Sequence, residues 1–254
     1  MVLVIIKLIS LVLFREMIIL RMTHENTLYQ LSFLPRLFPV NCYLIEEEKE
    51  LTLIDAALPY SAKSILKAAD SIGKPITRIV LTHGHQDHVG ALDELKRSLP
   101  HAAVYISARD SRLLEGDCSL NPDEPNTPIR GGIPKNVKTR ADHLLYDGDT
   151  VGSLLAIQAP GHTPGSMAFL DTRSNALIAG DAMQTRGGVA VSGVMRPFFP
   201  FPAMATWNAK SALQSVQKLL DYKPSLLAVG HGRMITNPID AMKHAIDRAK
   251  HTLK

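Results

Sequence analysis

The chain of 254 residues has only two cysteines, Cys42 and Cys118. That is too few for a disulfide framework, and neither stands at metal-ligand spacing from another cysteine. A fold stapled by sulfur is excluded, and a reducing cytoplasm is the simplest compartment. Strong charge of either sign is also missing. The net charge is +4 with a pI near 9.0, and the Lys and Arg residues are scattered rather than clustered, so a nucleic-acid partner is not implied. No repeat of about 20 to 50 residues is visible, and no linker interrupts the chain. The sequence carries no signal for an oligomeric state.

A clean membrane-spanning run is absent as well. Residues 1–14 are almost wholly apolar apart from Lys7 and Ser10, but Arg15 and Glu16 interrupt them before Met17-Ile18-Ile19-Leu20. A spanning helix needs roughly 20 uninterrupted apolar residues. A secretory signal needs a basic start and a small-residue cleavage site. Residues 1–22 therefore read as an apolar leader, either a start assigned too early, with Met22 the natural first residue, or a peripheral membrane anchor. Membrane contact is expected only if the leader is native. Residues 23–254 read as one domain, and 46% hydrophobic content is enough for a sizeable core.

Short apolar runs bounded by Gly, Pro and charged turns predict strands at Leu28–Phe33, Val40–Glu46, Leu51–Ile54, Thr77–Leu81, Ala103–Ile106, Leu154–Gln158, Ser166–Leu170, Ala176–Ile178 and Leu226–Val229. Helical periodicity predicts four helices. The first is capped by Ser61 and closed by Gly73, with Ile65, Ala68, Ala69 and Ile72 on one face. The second covers Ala91–Leu99. The third covers Met204–Leu220, with Ala209, Leu213, Val216 and Leu220 inward, and the last starts at Asn237-Pro238 with Ile239, Met242 and Ile246 inward.

What the chain does have is Thr82-His83-Gly84-His85-Gln86-Asp87-His88, directly after the apolar Ile79-Val80-Leu81. Imidazole and carboxylate are the usual donors to a borderline cation such as zinc, and a loop leaving a rigid strand can turn several of them inward together. Three further segments supply partners: Gly161-His162-Thr163, Gly180-Asp181 and Gly230-His231-Gly232, each after a short apolar run. His24, His101, His143, His244 and His251 have no ligand-like spacing.

Together these motifs resemble the metallo-β-lactamase superfamily from about Leu28 to about Ile246. The resemblance implies an α/β fold, a four-layer αββα sandwich in which five loops converge on one edge. It also implies two divalent metal ions per chain, zinc first, with Mn2+ or Fe2+ open. His83, His85 and His162 would hold one, Asp87, His88 and His231 the other, and Asp181 would bridge both. The implied nucleophile is metal-bound hydroxide, with Asp87 and Asp181 the catalytic carboxylates. Asp55 stands where relatives carry an acid and reads either as an acceptor fixing a ligand imidazole or as a strand-end turn cap.

The function so implied is dinuclear hydrolysis of an ester, lactone, thioester or similar bond in a small-molecule substrate. A mononuclear iron persulfide dioxygenase using a subset such as His83, His162 and Asp181 is the alternative. β-Lactamase action fits less well, because such enzymes usually carry Cys or Ser where Asp181 stands. Glyoxalase II relatives follow the last ligand with an acid and a Tyr, whereas Gly232-Arg233-Met234 follows here. The irregular stretch Glu115–Asp142 is expected to wall the site. The three Phe of 198–201 either line a pocket or pack beneath the next helix, and Arg186 or Arg196 is placed to meet an anion.

Overall fold

The computed structural model describes residues 20–253, so residues 1–19 of the leader expected over residues 1–22 lie outside the described residues. Two seven- and six-stranded sheets face each other. The first runs in chain order through β1 (Arg21–Glu25), β2 (Leu28–Phe33), β3 (Val40–Glu46), β4 (Leu51–Ile54), β5 (Ile76–Val80), β6 (Ala103–Ser107) and β7 (His143–Leu145). The second contains β8 (Thr150–Val151), β9 (Leu154–Gln158), β10 (Met167–Asp171), β11 (Ala176–Ile178), β14 (Leu226–Ala228) and β15 (Ile235–Thr236), ordered β15-β14-β11-β10-β9-β8. A separate short ribbon pairs β12 (Met183–Gln184) with β13 (Ala190–Val191). Arg21 and Met22, assigned to the leader on composition, instead pair with Ser32 and Leu31 in β1.

The strands read as continuous apolar runs because they are buried on both faces. In β3, Tyr43 and Ile45 enter the core between the sheets, with Ile54, Val80, Met167, Phe169 and Ile178. Their neighbours Cys42 and Leu44 face the other way, into a layer with Ile65 and Leu92 from α1 (Ala62–Ile72) and α3 (Leu92–Ser98). On the outer face of the second sheet, Ala168 and Leu170 pack with Val216 and Leu219 of α6 (Ala209–Asp221) and with Met242 and Ile246 of α7 (Ile239–Thr252). Helices on one side, two sheets and helices on the other make the four-layer αββα sandwich that the sequence implied.

Two local expectations need correction. Ser61 precedes α1 but makes no side-chain cap; its hydroxyl accepts the Leu58 amide instead, while Gly73 closes the helix in the left-handed region at φ 81° as expected. The helix expected over Met204–Leu220 is broken into α5 (Phe201–Ala205) and α6. Between them the Trp207 and Asn208 amides donate to the carbonyls of His162 and Gly161 at 2.9 and 2.8 Å, and those bonds to a neighbouring loop replace the helical ones. Asn208 then caps α6 through its side chain. The buried face of α6 accordingly turns to Ala212, Ser215, Val216 and Leu219, leaving Leu213 and Leu220 half-buried. Among the described residues no helix is long and apolar enough to cross a membrane.

Candidate metal centre

Every residue expected to hold a metal, and Asp55 with them, follows a strand that points to the same edge of the sandwich. Asp55 follows β4, His83 to His88 follow β5 and run into α2 (Gln86–Val89), and His162 follows β9. Asp181 sits in a 3-10 turn (Gly180–Ala182) after β11, and His231 follows β14. All but Asp87, which is half-buried, are buried.

The donor atoms fall into groups. Those of His83, His85 and His162 lie within 4.8 Å of one another, as do those of Asp87, His88 and His231. Asp181 faces both groups: its Oδ2 is 3.3 Å from His162 Nε2 and 3.1 Å from His231 Nε2, and its Oδ1 is 3.5 Å from His88 Nε2. Asp87 Oδ2 lies 3.4 Å from His231 Nε2. His83 Nε2, His88 Nε2 and Asp181 Oδ1 are buried with no hydrogen-bond partner. Orphaned buried donors converging on one point are costly unless something else binds them.

The outward nitrogen of each imidazole carries a proton, which its acceptor fixes. His85 Nε2 and His231 Nδ1 face the carbonyls of Arg130 and Pro39 at 2.8 and 2.7 Å, and a carbonyl only accepts, so those nitrogens carry the proton. His88 Nδ1 donates to Asp55 Oδ2 at 2.8 Å. Thr82 Oγ1 gives its one proton to Asp55 Oδ2, so it accepts from His83 Nδ1 at 3.0 Å. A longer relay fixes the fifth ring: Thr206 donates to the Pro202 carbonyl, Ser192 donates to Thr206, and the Ser192 hydroxyl accepts from His162 Nδ1 at 3.0 Å. In the neutral rings of His83, His85 and His162 the remaining nitrogen turns a lone pair to the centre, while His88 Nε2 and His231 Nε2 point the same way and face Asp87 and Asp181. His85 Nδ1 and His162 Nε2 thus face each other at 2.9 Å with no proton to share. Two lone pairs at that separation repel, and a cation between them removes the repulsion. The residues present therefore fit a divalent metal, each imidazole held from behind by an acceptor.

The charges agree with this arrangement. Burial holds His83 well below its ordinary pKa, helped by the neighbouring His88, and burial also lowers His85 and brings His162 down to about 3. At His88 burial disfavours charge, but Asp181, Asp55 and Asp87 outweigh it and bring the ring up to about 9. His231 is likewise raised well above its ordinary value, because Asp181 and Asp87 prevail over burial. Against their own burial, Asp87 and Asp181 stay ionised beside His88 and His231. One half of the centre thus keeps neutral nitrogen donors, and the other, rich in carboxylate, favours positive charge.

The centre opens into a cavity of about 300 Å³ lined by Phe38, Gly131, Gly132, Phe201, Pro202 and Met204 together with five of the seven donor residues, all but His83 and His88. Gly131 and Gly132 belong to the irregular insert, which packs on His85 through the Arg130 carbonyl and on Gln86, whose amide donates to the Gly132 carbonyl. The three Phe divide between the two expected roles. Phe199 is buried, Phe201 lines the cavity half-exposed, and Phe198 is exposed. Phe38, which the sequence reading passed over, meets Phe199, Phe201 and His231 with ring centroids 5.0 to 5.2 Å away. Neither Arg186 nor Arg196 lines this cavity. Each guanidinium donates to a backbone carbonyl, of Arg36 and Val189 respectively, which turns it away from an anion at the centre.

Also missed from sequence were the supporting roles of Thr82, Ser192, Thr206 and Asp110, small polar residues of which only Thr82 stands in the His-rich motif. The remaining histidines stay outside the donor groups, His24 stacking on Tyr29 and His143 on Tyr105.

Comparison with known proteins points the same way. The model of the metallo-β-lactamase superfamily matches residues 35–231. An uncharacterised protein, YobT of Bacillus subtilis (strain 168), is 60% identical over 91% of this chain and 99% of its own. The probable metallo-hydrolase YflN of the same organism is 30% identical over 77% of this chain and 81% of its own. The solved structure of TTHA1623 in a di-iron-bound form superposes with a TM-score of 0.58 at 26% identity, covering 80% of this chain and 92% of that one.

Proposed function

The chain belongs to the metallo-β-lactamase superfamily, and from that premise we propose that it is a dinuclear metal-dependent hydrolase that cleaves an ester, lactone, thioester or similar carbonyl bond in a small-molecule substrate. The observation that carries the proposal is the set of five imidazole nitrogens and two carboxylates turned to one centre. His83, His85 and His162 would hold one cation, Asp87, His88 and His231 the other, and Asp181 both. Bound divalent metals supply Lewis acidity, lowering the pKa of water toward about 7 and polarising a carbonyl oxygen.

The chain's own residues then do the rest. Asp87, ionised and half-buried in the cavity lining, is placed to accept a hydrogen bond from an attacking water and orient its lone pair toward the substrate. Phe38, Phe201, Pro202 and Met204 give the mouth an apolar wall that suits an acyl group and excludes bulk water. The lining contains no Lys or Arg among the described residues, which favours a neutral acyl portion over a strongly anionic one. A single iron on His83, His162 and Asp181, as in a persulfide dioxygenase, would use only part of the donor set and leave Asp87, His88 and His231 as an ion-paired group, whereas two cations would use all of it. Zinc is the first choice of metal, with iron or manganese suited by the oxygen donors. With Cys42 buried and Cys118 exposed, both free, a reducing cytoplasm is the proposed compartment.

The test is a screen of zinc-loaded protein against esters, lactones, thioesters, phosphodiesters and β-lactams, with chelated protein as control. Turnover of at least one carbonyl ester class, lost on chelation and with little on β-lactams, is the expected result. Efficient β-lactam hydrolysis without esterase or lactonase activity would overturn it.

A further inference from the structure

Building on the metal-hydrolase reading, we propose that Asp110 is a positioning residue: a buried carboxylate that sets the spacing between the His83–His88 loop and the His162 loop, and so the mutual placement of His83, His85 and His162. Asp110 is fully buried just beyond β6. It does not touch the donor cluster. Its Oδ2 accepts the amide of Gly84, between His83 and His85, at 3.0 Å, and the hydroxyl of Thr163, next to His162, at 2.6 Å. Its Oδ1 accepts the amide of Gly165 at 2.8 Å. All three of its donors come from the two loops, which are otherwise tied at their edge by the Met167 amide donating to the Thr82 carbonyl at 2.8 Å.

Both glycines are pressed onto the Asp110 turn. A Cβ at Gly84 would lie 2.8 Å from Leu113 Cβ, and one at Gly165 would lie 2.5 Å from the Asp110 nitrogen. The amides reach the carboxylate because no side chain stands between. The turn is itself held, since the Asp110 amide donates to Ser107 Oγ at 3.0 Å at the end of a sheet strand. The carboxylate therefore transmits the rigidity of β6 to both loops. A buried carboxylate whose hydrogen-bond donors are two amides and a hydroxyl, with no Lys or Arg among them, costs stability compared with an apolar filler. What it provides is geometric. Two acceptor oxygens hold two backbones at fixed separation, which the short, opposed contact of His85 Nδ1 and His162 Nε2 at 2.9 Å requires in the absence of any direct bond between those loops' side chains.

Asparagine keeps the volume but offers one acceptor oxygen and an amino group that repels the second amide. The test compares the full chain with Asp110→Asn, Thr163→Val and Asp171→Asn. Asp171 is also a buried, hydrogen-bonded carboxylate, but its partners are Thr27 and Arg173, remote from the ligand loops. Zn2+ affinity is measured by competition with a chromophoric chelator, the d–d absorption of the Co2+-loaded protein reports donor geometry, and melting of the metal-free protein reports the fold. Asp110→Asn should lose about tenfold or more in affinity for the tighter Zn2+ and shift the Co2+ band, and Thr163→Val should lose less. Asp171→Asn should melt earlier with metal affinity and Co2+ band unchanged.

Asp110→Asn binding Zn2+ and Co2+ like the wild type would make the carboxylate a pin of the fold only and overturn the proposal. Should Asp110→Asn not fold, unchanged affinity in Thr163→Val overturns it equally. A wild type that binds no Zn2+ would instead sink the metal-centre reading itself, an outcome distinct from both.

Discussion

Asp55 Oδ2 lies 2.8 Å from His88 Nδ1, and the same oxygen takes the Thr82 hydroxyl at 2.8 Å. One carboxylate thus holds His88 directly and His83 through Thr82, whose hydroxyl accepts from His83 Nδ1. The backbone accepts strain for this, with Asp55 at φ 61°, a region that Asp tolerates better than most residues. The contacts suit both readings the sequence left open, since Oδ2 accepts from the His88 ring while Oδ1 accepts the Thr82 amide at the strand end at 2.8 Å. Asp55→Asn presents an amino group to one of these partners and should lower metal affinity by about 10- to 100-fold while the circular dichroism stays native. Chelator competition measures it, and a mere strand-end cap would leave the affinity unchanged.

Gly230 carries a second prediction. A Cβ there would lie 2.0 Å from Asp181 Oδ1 and 2.6 Å from His88 Cε1, so the position is dictated by space. Gly230→Ala must push the Asp181 carboxylate from between the two donor groups. Loss of one bound metal, with activity down on the order of a hundredfold, is the expected outcome by elemental analysis and kinetics. Wild-type metal content in this variant would mean that Asp181 is not held where the contacts put it.

Asp181 itself gives the third. Asp181→Ala should loosen one cation and lower turnover on the order of a hundredfold, because the carboxylate faces His162, His88 and His231 alike. Asp181→Glu should be nearly as harmful, since an added methylene displaces oxygens that must be held to about 0.5 Å. Asp123→Ala, at an exposed acid of the insert, should match the wild type in both measurements.

Acid stability supplies the fourth. Burial pushes the Asp171 carboxyl up, but hydrogen bonds from Arg173 and Thr27 outweigh it and hold the group below its ordinary value. A carboxyl depressed in the folded state contributes stability that is present above its unfolded pKa near ~3.9 and is lost as the pH falls through the folded value. Denaturant unfolding should therefore find Asp171→Asn less stable than the wild type at neutral pH. The difference should shrink as the pH is taken below about 4. A gap that stays constant with pH would remove the linkage.

The strands at Leu28–Phe33, Val40–Glu46 and Leu51–Ile54 were legible because short apolar runs end in Pro, charged turns or Asp. The donors were legible because a strand end followed by His or Asp repeats along the chain, and the structure brings His83, His85, Asp87, His88, His162, Asp181 and His231 to one place. Their supports were not. Two rings lean on the carbonyls of Arg130 and Pro39, and a carbonyl has no residue type to betray it. Ser192 and Thr206 act only through a three-member relay across loops distant in sequence. The break at Trp207 was hidden for a similar reason, since tertiary bonds to the His162 loop override a periodic helical pattern.

The central claim is two metals on one set of donors, and metal content tests it most directly. Protein purified without chelator should contain two divalent ions per chain by elemental analysis, zinc foremost, and lose both together with turnover on dialysis against a chelator. A chain that is active with a single ion, in particular one iron consuming oxygen on a persulfide, would contradict the dinuclear assignment and leave Asp87, His88 and His231 without the role given to them here.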